Sequence, residues 1–502
     1  MKKSLEKRIN KVKDLLARQK IRNLKQLEDY KLSVCHPQSA GIDIGSREIY
    51  VAINPDIAAG MGEPIVRTFN TYTSGLRDCL EWLLLCGVED VSMESTSVYW
   101  KNLYDILEGG GLRVCLVNPK KFRMVPGRKT DVLDCQWLQT LHMYGLMSGS
   151  FIPRGDIRKL RSYMRERDKI LKDRTRHVQR MQKAMVEMNL MLVNVVDDIT
   201  GKTGLDIINA ILGGERDPKA LASLRDPRCK KSEEEIALSL EGNYKSDQLF
   251  LLKSNYDAFV FFNGQLNSLD MEIESLLKAF PSAEGAGLEP MPEDASEEAP
   301  LATEQKKKRG RPRKATSDKR KPGKNDLRTS CDLDRLLLRI TGADLTSITG
   351  LGANTILRII SEVGLDMEKF HSAKHFASYL GFTPHNKITG GEIKSSRTDR
   401  VKSHAAQAFK NVVPSLIQGE SYLAAFYRRI SPRIGTSKAI VAVCRKLSMI
   451  YYNALTSGIK FVEKGAENYK KLQQQRERNF LEKLAKKHNM QLLPMDVNQH
   501  VS

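Results

Sequence analysis

Two acids three residues apart, Asp131 and Asp134, follow Lys129-Thr130 and open an apolar-periodic run, so both lie on one face at the head of a predicted helix. Such a pair is suited to sharing one cation. Two more carboxylates stand at the ends of predicted strands: Asp43 between Ile42 and Ile44, and Glu94 closing Val91-Ser92-Met93-Glu94. Four carboxylates gathered at one sheet edge raise one another's pKa, and divalent cations relieve that repulsion. Two Mg²⁺ ions about 4 Å apart can activate an attacking oxygen and stabilise a leaving one in phosphoryl transfer. Each acid also has an ordinary structural reading. Asp131 could cap a helix, Asp134 could interact with its dipole, and Glu94 could cap through Ser95. Asp43 fits such a reading least, because a carboxylate between two isoleucines on a central strand is costly unless paired.

The elements around these acids predict α/β architecture. Residues 40–53 alternate around Gly45-Ser46 as strand, turn and strand, and a third strand spans 64–70. A helix over 74–86 with Ser74 as N-cap, a strand over 91–94, a helix over 95–107, a strand over 114–117 and a helix over 131–147 complete a mixed sheet with flanking helices. From 156 to 192 the pattern is one long helix, and 246–280 is a second that could return antiparallel to it. The first carries Arg158, Lys159, Arg161, Arg165, Arg167, Lys169, Lys172, Arg174, Arg176, Arg180 and Lys183. Those side chains read equally as a solvated surface around a coiled-coil seam or as a stripe along nucleic acid.

Residues 281–330 break the pattern: 281–305 hold seven acidic residues and no Lys or Arg, and 306–330 hold twelve basic residues and two acidic ones. Too few apolar residues are present for that segment to fold alone. Within it, Arg309, Arg311 and Arg313 lie in Arg-Gly-Arg-Pro-Arg-Lys, which resembles the AT-hook core that enters narrow A·T minor grooves. A plain basic linker is the alternative. Farther on, Gly350-Leu351-Gly352 before a helix resembles a helix-hairpin-helix turn whose backbone N–H groups approach a phosphate, with an ordinary glycine turn between packed helices as the alternative. Residues 387–391 read as an exposed loop. Helices over 401–418 and 437–455 follow, the second carrying Lys438, Arg445 and Lys446 as candidate nucleic-acid contacts.

Across 502 residues the net charge is +21, which favours an anionic polymer, nucleic acid first, as partner. No apolar run approaches the roughly 20 residues of a spanning helix. The basic, heptad-like first 25 residues lack the features of a signal peptide, so a cytoplasmic, nucleoid-associated protein is expected. Eight scattered cysteines, with no Cys-x-x-Cys pair, support neither a zinc site nor a disulfide framework.

Gly41-Ile42-Asp43-Ile44-Gly45, Glu94-Ser95-Thr96-Ser97-Val98-Tyr99-Trp100, Asn118-Pro119 and Lys129-Thr130-Asp131-Val132-Leu133-Asp134 resemble the successive N-terminal motifs of the DEDD transposases of the insertion-sequence 110 family, related to the Piv and MooV invertases. Gly350-Leu351-Gly352, Tyr379-Leu380-Gly381-Phe382-Thr383-Pro384, Thr389-Gly390-Gly391, Lys438-Ala439 and Arg445-Lys446-Leu447 resemble its second domain. The resemblance implies a RuvC-type, ribonuclease-H-like domain over 40–150 that uses Asp43, Glu94, Asp131 and Asp134 with Mg²⁺. It also implies a small helical transposase domain over 331–465, while the residue patterns themselves give a basic helix over 1–39, a helical coiled-coil region over 151–280 and a tail over 466–502. The resemblance further implies a serine nucleophile that holds DNA as a covalent phosphoester while strands exchange through a Holliday-junction-like intermediate. Here Ile388-Thr389-Gly390-Gly391 occupies that loop, which makes Thr389 the candidate, with Ser395 and Ser396 out of register. The resemblance also implies donor and target DNA, a noncoding bridge RNA that pairs with both, and a homo-oligomer, dimer or tetramer. A structure-specific nuclease using water and a non-catalytic DNA-organising protein are the rival functions.

Overall fold

The computed structural model describes residues 10–12, 15, 30, 32–95, 97–118, 130–147, 149–153, 155–283, 323–384, 386–390, 392–398, 403–419, 421–457, 474–475, 478–486, 488 and 490. The chain divides into two units, Met1–Ile152 and Pro153–Ser502.

In the first unit β1 (Ser39–Ile44), β2 (Glu48–Ile53), β3 (Val66–Asn70), β4 (Asp90–Glu94) and β5 (Arg113–Val117) form a sheet in the order β3-β2-β1-β4-β5. The pairs β1–β2 and β2–β3 are antiparallel, and β1–β4 and β4–β5 are parallel. The expected strands and helices all form, with α2 (Thr73–Leu85), α3 (Trp100–Gly109) and α4 (Asp131–Met143); α1 (Pro55–Met61) was not anticipated. Several boundaries differ: β3 starts at Val66 rather than 64 and α4 ends at Met143 rather than 147. Tyr72, without a side-chain bond, is the N-cap of α2, so Ser74 lies inside the helix, and α3 starts at Trp100 rather than near 95. Ile42, Ile44, Ile49, Val51, Val91 and Met93 are buried in the unit's core with Leu83, Leu103 and Leu107.

The second unit is mainly helical. The long α5 (Gly155–Glu187) and α9 (Ser246–Ala279) pair antiparallel: Arg167 meets Asp270, Arg174 meets Asn263 and His177 meets Asn255, so numbers rise on one helix as they fall on the other. Three short helices between them, α6 (Lys202–Leu212), α7 (Pro218–Ser223) and α8 (Glu233–Ser239), pack with both long helices around Ile207, Ile208 and Leu252. The second core joins α10 (Leu333–Thr341), α11 (Ala353–Val363), α12 (Ala373–Tyr379), α13 (His404–Leu416) and α15 (Thr436–Ser457). Between α12 and α13, residues 387–391 do not form a plain loop: β6 (Lys387–Thr389) and β7 (Glu392–Ser395) pair antiparallel across a turn. Helix α14 (Tyr422–Ile434), unanticipated, contains Pro432 near its end.

The segment 323–330, expected in the linker, is instead packed. Leu327 is buried, Arg167 donates to the carbonyls of Asn325 and Asp326, and Ser330 N donates to Glu274 at 2.8 Å. A single apolar anchor and several backbone bonds to two long helices fix a stretch whose composition suggested none.

Candidate active site

Helix α4 crosses the sheet antiparallel to β1. Cys35 N donates to Met143 O at 2.8 Å at one end, Gln139 Nε2 donates to Ser39 Oγ at 3.3 Å in the middle, and a Cβ on Gly41 would lie 2.4 Å from Cys135 O and 2.3 Å from Gln139 N. Only glycine fits there. On the neighbouring strand Ser92, paired with Gly41, keeps its hydroxyl 3.2 Å from Ala40 O and 3.3 Å from Leu138 O. Small residues at the crossing thus let helix and sheet touch backbone to backbone.

Two residues beyond the crossing on each strand, on the same face, stand Asp43 and Glu94. One turn before Cys135 on the helix stands Asp131, with Asp134 beside it. Asp43 and Asp134 both push the Cys135 thiol upward electrostatically, after burial, to about 12. Asp131 and Asp43 likewise add to the rise of the Tyr50 hydroxyl, which comes first from its hydrogen bond to Glu48. Tyr50 is the register partner of Asp43. Asp43 and Asp134 thus both act on Cys135, and the parallel register puts Glu94 at the same sheet edge as Asp43, but among the described residues no three of the four acids bring their ligand atoms within 4.8 Å of one another.

Thr130 settles one open reading of Asp131. It is the N-cap of α4, its side chain accepting from Leu133 N at 3.3 Å, so Asp131 is the first helical residue and exposed, and Asp134 lies in the first turn. The helix N-terminus favours both carboxylates. Half-exposed carboxylate oxygens at the head of a helix are a donor set for hard, oxygen-preferring divalent cations. Lys129 lies outside the described residues.

In the second unit Thr389 ends β6, exposed, opposite Glu392, with Gly390 at φ +60° in the turn. Ser395 pairs with Lys387 at the other end of the hairpin, and its Oγ accepts from Arg397 N at 3.4 Å. Gly350, at φ +95°, packs so that a Cβ would meet Leu416 and Val412 at 2.8 Å, whereas Gly352 is the open N-cap of α11. Lys438 is exposed, Arg445 half-buried, and Lys446 sits 4.5 Å over the Phe426 ring. Arg309, Arg311 and Arg313 lie outside the described residues.

The basic face of α5 has a reading that the sequence left out. Arg165 makes two 2.8 Å bonds to Glu362, and Arg161 donates to the carbonyls of Ser361 and Glu362. Arg167 is buried against Asp270 at 2.6 Å, and Arg174 donates to Asn263 at 2.9 Å. These four arginines tie helices together. Their partners lie 89 to 201 residues away in sequence, so spacing along α5 gave no sign of them. Beside them a cleft of about 840 Å³ between α5, α11 and α13 is lined by Lys172, Arg176, Arg358, His404 and Lys410 among others. Arg358, His404 and Lys410 were not anticipated, because residues from separate helices share no sequence pattern.

A five-stranded sheet of this order, crossed by a helix that brings acids to the ends of its central parallel strands, is a ribonuclease-H-like arrangement, and helical regions complete the chain. Residues 40–190 match a family model of the DEDD IS110 type described as "Transposase", and residues 342–428 match "Transposase IS116/IS110/IS902 family". The two matches support an IS110-family transposase, a DNA transposase/recombinase enzyme of a class that binds DNA and uses divalent metal. Nothing among curated proteins matches it. No helix among the described residues is long and apolar enough to cross a membrane.

Proposed function

We propose that the protein cuts and rejoins DNA at a Mg²⁺ site held by Asp43 and Glu94 from the strands and Asp131 and Asp134 from α4, through a covalent bond between DNA and Thr389. The observation that supports this most is the approach of α4 to β1 at Gly41, which puts the head of the helix and its two acids at the end of the strand bearing Asp43. Bound Mg²⁺ would supply positive charge to the phosphate oxygens and help deprotonate an attacking hydroxyl. The threonine oxygen bonds to phosphorus as its proton passes to a base, and the P–O bond to the departing strand breaks with that sugar oxygen taking a proton. Rejoining reverses the step with another strand's hydroxyl, so phosphoester bonds are conserved and no energy-rich cofactor is required.

In this reading 40–150 is the catalytic domain, 331–465 carries the nucleophile, and a noncoding bridge RNA pairs with donor and target DNA. The +21 charge and the cleft bearing Lys172, Arg176 and Lys410 suit such a load. The active form is a homo-oligomer, dimer or tetramer.

A suicide DNA substrate tests the chemistry. The expected product is a detergent-resistant protein–DNA adduct, mapped by mass spectrometry to Thr389, lost in Thr389→Ala and kept in Thr389→Ser, whose primary hydroxyl is less crowded. Asp43→Asn should lower its formation by at least about 10³-fold while DNA binding persists. Metal-dependent cleavage with no adduct would replace this reading by a water-using nuclease, and an adduct at Ser395 or Ser396 would move the nucleophile. Sequencing RNA that copurifies with the protein tests the guide: no enriched transcript matching the flanking DNA would rule it out.

A further inference from the structure

At the opposite end of the same sheet from the four acids, His36, Asp90 and His142 converge. His36 lies in the segment entering β1, Asp90 is the first residue of β4, and His142 is in the last turn of α4. Their backbones are joined directly: His36 N donates to Met143 O at 3.0 Å, and Glu89 N and Asp90 N donate to Gln38 O at 2.9 and 3.1 Å. The three side chains therefore stand on one hydrogen-bonded frame, and their candidate ligand atoms all lie within 4.8 Å of one another.

Two features of this cluster have no use in the fold. His142 is 6% exposed, and its Nε2 is buried with no hydrogen-bond partner, a state that buried polar atoms rarely keep without an ion or water to satisfy them. The His36 and His142 rings are stacked with centroids 4.6 Å apart, and His36 Nδ1 sits 3.3 Å from Asp90 Oδ2. Asp90 is oriented by Arg113, whose Nε donates to Oδ1 at 2.8 Å and whose second terminal nitrogen donates to Oδ2 at 2.7 Å and to Glu89 at 2.9 Å. A carboxylate ligand held by an outer hydrogen bond is the usual support of a metal centre. Here Oδ1 could keep its guanidinium while Oδ2 turns to a metal.

We propose that His36, Asp90 and His142 bind a zinc ion, a site separate from the DEDD acids and on the other end of α4. Two imidazoles and one carboxylate select zinc-like transition metals over Mg²⁺, with a fourth, water-filled position on the open side of His36. A shared ion must lie near the plane of both rings, so one ring has to leave the stack. His36 is the one that turns, because its side chain is 37% exposed and it lies outside any helix or strand, whereas His142 is fixed in α4. The bound ion would lock the chain before β1, the foot of β4 and the end of α4 to one another, and so hold the helix whose head carries Asp131 and Asp134.

The test is zinc binding by the full-length protein in competition with a chromophoric chelator, with metal content measured by mass spectrometry. A single zinc per chain is expected, bound at least about 100-fold more weakly in His36→Gln. Because His36 is half-exposed, that variant should keep the metal-free melting temperature, and zinc should raise the melting temperature of the unsubstituted protein but not of the variant. Asp43→Ala should retain the zinc. Loss of zinc in Asp43→Ala would assign the metal to the DEDD acids and overturn the proposal. So would equal zinc content in His36→Gln, which marks an adventitious ion only, or no zinc held against the chelator. These outcomes do not depend on DNA cleavage, so they are separable from failure of the proposed function.

Discussion

Glu274 shows how a single side chain secures a segment that composition marks as a linker. It is 6% exposed, accepts from Ser330 N and Oγ and from Cys331 Sγ, and pairs with Lys278 at 3.0 Å. Burial alone would raise its pKa, but the bonds from Ser330 and its neighbours outweigh that and leave it lowered to about 2. A carboxylate with a depressed folded pKa adds stability that is complete above its unfolded value of 4.5 and disappears as pH falls toward about 2. The span corresponds to up to about 3 kcal/mol. Glu274→Gln is therefore expected to lower the melting temperature at pH 7 and to flatten the acid limb between pH 4.5 and 2; an acid limb unchanged from the parent would disprove the assignment. The same residue-scale logic separates Asp131 from a capping role, since Thr130 already satisfies the helix end.

At the scale of elements, the active-site geometry depends on how closely α4 can lie on β1 and β4. Gly41→Ala would place a Cβ within 2.4 Å of backbone atoms of α4, which cannot swing aside as a side chain can. Overpacking of this kind costs about 1–3 kcal/mol, occasionally more. Displacing the helix also moves Asp131 and Asp134 away from Asp43. The variant should melt earlier and lose DNA cleavage more than DNA binding, and a fully active Gly41→Ala protein would show that the close crossing is dispensable. The pairing of α5 with α9 follows a different rule. Arg167 and Asp270 are both nearly inaccessible, so the pair fixes register at a desolvation cost and is weak as a source of stability.

For the molecule as a whole, much of the excess charge stands in one segment. Residues 306–322 carry ten basic residues and one acidic one, out of a net +21, and lie outside the described residues, while 323–330 is bound to α5 and α9. Deleting 306–322 and sparing the packed portion is expected to weaken DNA or RNA affinity and to flatten its dependence on salt, because fewer counterions are released, with adduct formation persisting at low salt. A salt slope equal to the parent's would show that the segment does not touch nucleic acid.

The sequence by itself determined the order of strands and helices in the first unit, the two long helices of the second, and the four acids with their places at element ends. Those features are local: period-2 and period-3.6 patterns, glycine turns and a Thr-Asp helix start are written within a few residues. The seven-residue α1 was missed because few residues repeat in it. Only the tertiary structure decided that the head of α4 lies toward the end of β1 that bears Asp43, through a backbone contact at Gly41 spanning about a hundred residues of chain. It also decided which arginines of α5 are spent on Asp270, Glu362 and Asn263, and that Asp90 and two distant histidines share one buried corner. Contacts between residues that far apart depend on how whole elements pack, and no periodicity within an element encodes its partner.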